Sequence, residues 1–236
     1  MLVMNKKEFT RGLFLAVSFL IVLGIMFLPI FGSGRNAFRA ADRLYNSIAK
    51  GSTYYMPALL QENAAFMGHK VDVVLNLDNP EIFRKASQLY TAAGVQVQEK
   101  EPQLHIAGDL GQISALAIQH ADTVFHNRGE EIAKQFGFPQ REALFIWHYT
   151  FKAMGRHLTK QKLFADAAWL EEVNKRGVEV AYNFFRIEPR SAYSSAGILG
   201  FSLVFYVIYT LWWGFAILLL FEGLGLEMKA GRKKEV

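Results

Sequence analysis

The six histidines are the side chains in this sequence best suited to acid–base or metal chemistry. His120 and His126 fall in one helical stretch, six residues apart, which turns their rings about 120° away from each other. His148 and His157 are nine residues apart and face nearly opposite sides. Neither pair has the i, i+4 spacing that lets two imidazoles share a zinc ion on one helix. His105 falls on the polar face of an alternating stretch. These are the positions of surface and core histidines, and a metal would need ligands converging from distant segments.

The carboxylate pairs Glu130-Glu131 and Glu171-Glu172 are adjacent, and helical neighbours diverge by about 100°, so they read as solvated faces. Gly108-Asp-Leu-Gly111 lies between an alternating stretch and a helical one, where backbone amides can hold an anion. It lacks the third glycine of a dinucleotide loop and the Lys-Ser/Thr of a P-loop, and reads as a turn with a helix cap. The chain has no cysteine, which excludes disulfides, thiolate zinc, iron–sulfur clusters and covalently attached c-type haem. No nucleophile elbow, His-Glu-x-x-His or calcium loop occurs. The expectation is no catalytic residue, no metal and no cofactor.

One further block carries unusual chemistry. Leu144 to Phe151 is apolar or aromatic nearly all round, with Phe145, Trp147, Tyr149 and Phe151. A helix of that kind is central to a core or covered by a partner. We read these four residues as part of a partner interface; lining a quinone or lipid site is the weaker alternative.

The elements that must position these residues begin with two uncharged apolar runs. The first, Gly12 to Phe31, provides about 20 residues, enough helix to cross the hydrocarbon core. It is longer than a signal-peptide core, which predicts an uncleaved anchor. The second runs from about Ala196 to Phe221. Ala196 and Gly200 form a small-xxx-small pair and Gly214 adds a third small site, the kind of residue that lets helices approach closely. Trp212 and Trp213 lie deeper in the span than the headgroup zone that such rings favour, which suits packing on another helix. Neither span carries His, Asp, Lys or Arg, which argues against an ion pathway or intramembrane haem ligation.

The chain has a net charge of +5, and its excess lies largely in Lys6, Lys7 and Arg11 before the first span and Lys229, Arg232, Lys233 and Lys234 after the second. Basic residues at span ends mark the cytoplasmic side, placing both tails there and the central region outside. Arg35, Arg39 and Arg43 argue the other way. The C-terminal cluster also suits anionic headgroups. Nucleic-acid binding is not expected, because the central region is nearly balanced in charge.

Between the spans, Asn36 to Lys50 has apolar residues at helical spacing, Gly51-Ser-Thr is expected to stop that helix, and Pro57 opens a short helix that ends near Gly68. Val71, Val73, Leu75 and Leu77 alternate as a strand. Asp78 is the expected cap of a helix ending at Gly94. Val95 and Val97 begin a second strand, Leu104 and Ile106 a third, and Gly108-Asp109 another helix. This order is a β-α-β-β-α module in which the first two strands run parallel, directly or through an intervening strand. Asn127 with Glu130 resembles a capping box, and a last amphipathic helix is expected over about Lys162 to Arg186.

The predicted fold is α+β: two transmembrane helices flanking a mixed domain with a small three-stranded core and several additional helices. The expected organisation is a tail over 1–11, a span over 12–32, the domain over 33–195, a second span over 196–222 and a basic tail over 223–236. The expected function is a non-catalytic accessory, scaffold or assembly subunit of a bacterial inner-membrane complex. Its expected partners are membrane lipids and other membrane subunits or further copies of itself. Alternatives are an extracytoplasmic sensor or ligand-binding module, and a His-dependent metal- or quinone-linked redox subunit.

Overall fold

The computed structural model describes residues 3–226. In chain order the elements are helices α1 (Lys6–Phe27), α2 (Ala37–Ser52) and α3 (Met56–Asn63), strand β1 (Lys70–Asn76), helix α4 (Pro80–Ala92) and strands β2 (Gln96–Lys100) and β3 (Gln103–Asp109). Helices α5 (Leu110–Phe125), α6 (Glu130–Phe136), α7 (Gln140–Lys160), α8 (Phe164–Glu172), α9 (Glu179–Asn183) and α10 (Ala196–Gly223) follow. The fold is a mostly helical α+β arrangement with a three-stranded antiparallel sheet and a long apolar helix near each end. It divides into two compact units, residues 46–190 and residues 1–45 with 191–236.

In the terminal unit, α1 starts six residues earlier than the apolar run, because Asn5 caps it by accepting from the Glu8 amide. It ends at Phe27 rather than Phe31. Pro29 forces the residue before it out of helical geometry, and Leu28 is extended at φ −70°, ψ 147°. Helices α1 and α10 pack antiparallel, with the amides of Met4 and Asn5 both donating to Gly223 O. Both are long and apolar enough to cross a membrane, and their most apolar windows are only 17% and 6% buried, unlike a core helix of a soluble protein.

The central unit has its own core, whose buried apolar residues all lie between Met56 and Ala181. The sheet order is β1-β3-β2, with β3 antiparallel to both neighbours, so β1 and β2 run parallel through the strand between them. The register sets Val73 opposite Ile106 and Ile106 opposite Val97, stacking apolar residues on the core face. On the opposite face Asp72 and His105 pair at 2.6 Å.

Four local expectations are corrected. The α4 cap is Asn79, not Asp78: its Oδ1 accepts from the amides of Glu81 and Ile82. Asn127 is no capping box. It sits left-handed at φ 58°, and its side chain turns instead to Ile187 O and Glu188. Helix α2 runs through Gly51, where a Cβ would come 2.4 Å from Arg190 O, so the glycine serves a close approach rather than a stop. The last amphipathic helix is interrupted: residues Val173–Val178 form a turn of π-helix between α8 and α9.

Two buried polar devices hold this unit. Lys50 is fully buried, and its Nζ donates to Ile187 O at 2.6 Å and Phe184 O at 3.2 Å, just past the end of α9, adding to the bonds those carbonyls take from Asn127 Nδ2 and the Ile187 amide. Burial lowers its pKa, against the pull of Glu188. Trp147 Nε1 donates to Nδ1 of the buried His120 at 3.1 Å.

Candidate functional site

The helix phase of α7 splits the aromatic block in two. Trp147 and Phe151 are 0% and 2% exposed and belong to the core rather than to an exposed aromatic face. Phe145 and Tyr149 point outward and stack on each other at 6.2 Å. One exposed stripe of α7 thus passes from Phe145 and Tyr149 to Lys152, Arg156 and Lys160.

Beside this stripe lies a groove of about 990 Å³ between α7 and the segment formed by α8 and the π-turn. The two helices are joined by a tight connection in which Lys162 is left-handed at φ 64°. Phe151 and Leu170 lie at the groove's base, and Phe164, 62% exposed, stands at its wall. Gly155, Ala167 and Ala168 keep it open, and a Cβ on Gly155 would meet nothing within 4 Å. A second cavity of about 420 Å³, lined by Phe145, His148 and Tyr182 among others, shares Lys152 and Glu179 with the first.

The π-turn shapes the end of the groove. In an α-helix residues i and i+5 diverge, whereas a π-turn brings them together. Asn174 therefore reaches Glu179, its Nδ2 donating to Oε1 at 3.0 Å. His148 Nδ1 lies 3.1 Å from Asn174 Oδ1 and 3.2 Å from Glu179 Oε1. Asn174 is buried, so the three side chains form a fixed polar cluster where the two cavities adjoin. Single-sequence reading missed it, because an i, i+5 contact has no counterpart in α-helical periodicity. It also passed over the cations at 152, 156 and 160, whose i, i+4, i+8 spacing is the signal that marks them.

The remaining histidines are dispersed. His69 pairs with Asp166 at 2.7 Å, His105 with Asp72, and His126 with Asp122 at 3.3 Å. Burial pushes His120 down to about 4. Among the described residues, no group of three or more His, Asp or Glu side chains is placed to hold a metal ion. The amides at this turn are engaged internally: Leu110 donates to His69 O at 2.8 Å, and the Asp109 carboxylate accepts from the amides of Gly111 at 2.8 Å, Gln112 at 3.2 Å and Gly68 at 2.7 Å. A Cβ on Gly111 would lie 2.8 Å from the backbone nitrogen of Met67, so that glycine serves packing. Glu171 and Glu172 turn to different partners, Lys175 at 2.5 Å and Arg176 at 3.5 Å.

In the terminal unit, Ala196, Gly200 and Gly214 lie outside the helix seam: all three are exposed, and Cβ atoms on Gly200 and Gly214 would meet nothing within 4 Å. The seam uses other small residues, Gly12 and Ala16 on α1 with Ala216 and Gly223 on α10. A Cβ on Gly12 would come 2.6 Å from the Leu220 backbone nitrogen, and one on Gly223 2.6 Å from Phe9 Cα. Trp212 packs inward and donates from Nε1 to Leu15 O at 3.1 Å. Trp213 lays its ring on Phe19 at 4.7 Å while staying 38% exposed. Lys229, Arg232, Lys233 and Lys234 lie outside the described residues.

No protein-family model, curated protein or solved structure matches the chain.

Proposed function

We propose that this protein is a membrane-anchored adaptor: a non-catalytic accessory or assembly subunit of a bacterial inner-membrane complex. The observation that carries the reading is the antiparallel pair α1–α10. Its inner seam is closed by glycine and alanine, and its outer faces present large apolar side chains such as Phe14, Ile21, Phe201 and Leu211. An outward apolar surface of that kind is compatible with lipid and with other spans. Antiparallel pairing brings residues 4 and 5 beside residue 223, so both ends of the pair's chain share one side. Under the positive-inside rule, the basic residues that flank the pair in the sequence support a cytoplasmic location for both tails and an extracytoplasmic one for the central region. The groove along α7 supplies this anchored unit with a surface for a partner.

Purification of the full chain in mild detergent tests the proposal. Stable co-purifying membrane subunits are expected, whereas a monodisperse monomer without partners would sink it. Orientation is read separately. The chain has no cysteine, so Glu131→Cys on exposed α6 gives a single labelling site. An impermeant maleimide added to intact cells should label it; labelling only after lysis reverses the topology.

A further inference from the structure

We propose that the groove between α7 and α8 receives an acidic amphipathic helix of a partner protein, apolar face down and carboxylates against Lys152, Arg156 and Lys160. The inference takes from the adaptor reading only that the occupant is a protein segment.

Charge is the first argument. The three cations follow one another at i+4, on one stripe over about 12 Å of helix. Arg156 and Lys160 make no ion pair among the described residues. The opposite wall carries Glu171, paired with Lys175, and Glu179, hydrogen-bonded by Asn174; against these two carboxylates the lining sets four cations, Lys152, Arg156, Lys160 and Lys175. The field over the groove is therefore set by the α7 cations, and it favours an anionic occupant.

Shape is the second. The base is apolar, and Gly155, Ala167 and Ala168 leave room for another backbone to approach. The rim residues Lys152, Arg156, Lys160, Phe164 and Ala168 are exposed, so the groove opens along its length. An acyl chain lying there would leave one side in water. An amphipathic helix presents its polar side to that water and its apolar stripe to the base. A helix whose acidic residues repeat at i, i+4 and i+8 would match the spacing of the three cations.

The test uses the full chain in nanodiscs of zwitterionic lipid, with empty nanodiscs as baseline. The probe is a fluorescein-labelled peptide of about 16 residues, roughly 24 Å of helix, with Leu at i, i+3, i+4 and i+7 and Glu elsewhere. A second peptide carries Lys in place of Glu. Fluorescence anisotropy should show binding of the acidic peptide and none of the basic one. Charge reversal by Lys152→Glu, Arg156→Glu and Lys160→Glu together should weaken binding at least about tenfold. Ala168→Trp, which fills the groove from an exposed position, should do the same while circular dichroism stays unchanged. Equal binding of both peptides overturns the proposal, as does insensitivity to both sets of substitutions. Binding of oleate at this groove with no binding of the acidic peptide would assign it to an anionic amphiphile instead. Failure here with partner co-purification intact rejects the groove assignment and leaves the adaptor reading standing.

Discussion

Lys50 and His120 show how single buried polar groups set the terms of stability. The Lys50 ammonium donates to two carbonyls after α9 and lies 4.8 Å from the centre of the Phe125 ring. Lys50→Met keeps the bulk but removes the charged donor that those two carbonyls share, and should cost about 1–3 kcal/mol in urea unfolding. His120 must be neutral at Nδ1 to accept from Trp147. Its folded pKa of about 4 lies below the ordinary 6.5, so between these values the unfolded chain binds a proton that the folded chain does not. Stability should therefore fall as pH drops through that window, by up to about 3 kcal/mol for this group. His120→Asn retains an acceptor for the indole and should flatten that part of the profile, measured by tryptophan fluorescence in urea across the window. Neither role could be read from residue type. Lys50 sat at the end of an amphipathic pattern where an exposed lysine is the ordinary outcome, and only the return of the 184–187 segment makes it a buried donor.

At the scale of elements, periodicity was informative wherever hydrogen bonding stayed regular. The strands at 70–76 and 103–109 alternate as their sequence predicts, and α4, α5 and α7 follow their apolar stripes. It failed at the π-turn, whose wider winding moves Asn174 onto Glu179 and His148. Asn174→Ala should weaken this cluster and loosen the α7–α9 contact, seen as faster amide exchange over residues 174–183 with the sheet unchanged. Which small residues of α10 face α1 is a separate matter of helix phase. Ala196, Gly200 and Gly214 have the composition of a contact, but the phase of α10 is fixed by Trp212, Ala216 and Gly223 against α1. Gly12→Leu drives a side chain into the Leu220 backbone and should cost about 1–3 kcal/mol in detergent melts. Gly200→Leu, into open space, should leave α1–α10 pairing intact.

At the scale of the molecule, the division into two units has a direct consequence. All core residues of the central unit lie within 56–181, and its chain ends meet where the Arg190 amide donates to Ser47 O at 2.9 Å. A fragment of residues 46–190 should fold in water without detergent and unfold cooperatively in urea, with the sheet signal retained in circular dichroism. A fragment that aggregates or lacks a cooperative transition would show that folding depends on the terminal helices.

The two long apolar helices, the β-α-β-β-α order and the lack of a metal-binding spacing within one helix could be read from the sequence, because each depends on residues close together along the chain. Which face of α7 carries Phe145 and Tyr149 and which buries Trp147 and Phe151 needed the neighbouring helices. So did the pairing of α1 with α10 and the joining of Asn174, Glu179 and His148. Those outcomes depend on what packs across from each residue, and the spacing of residues within one element does not contain that information.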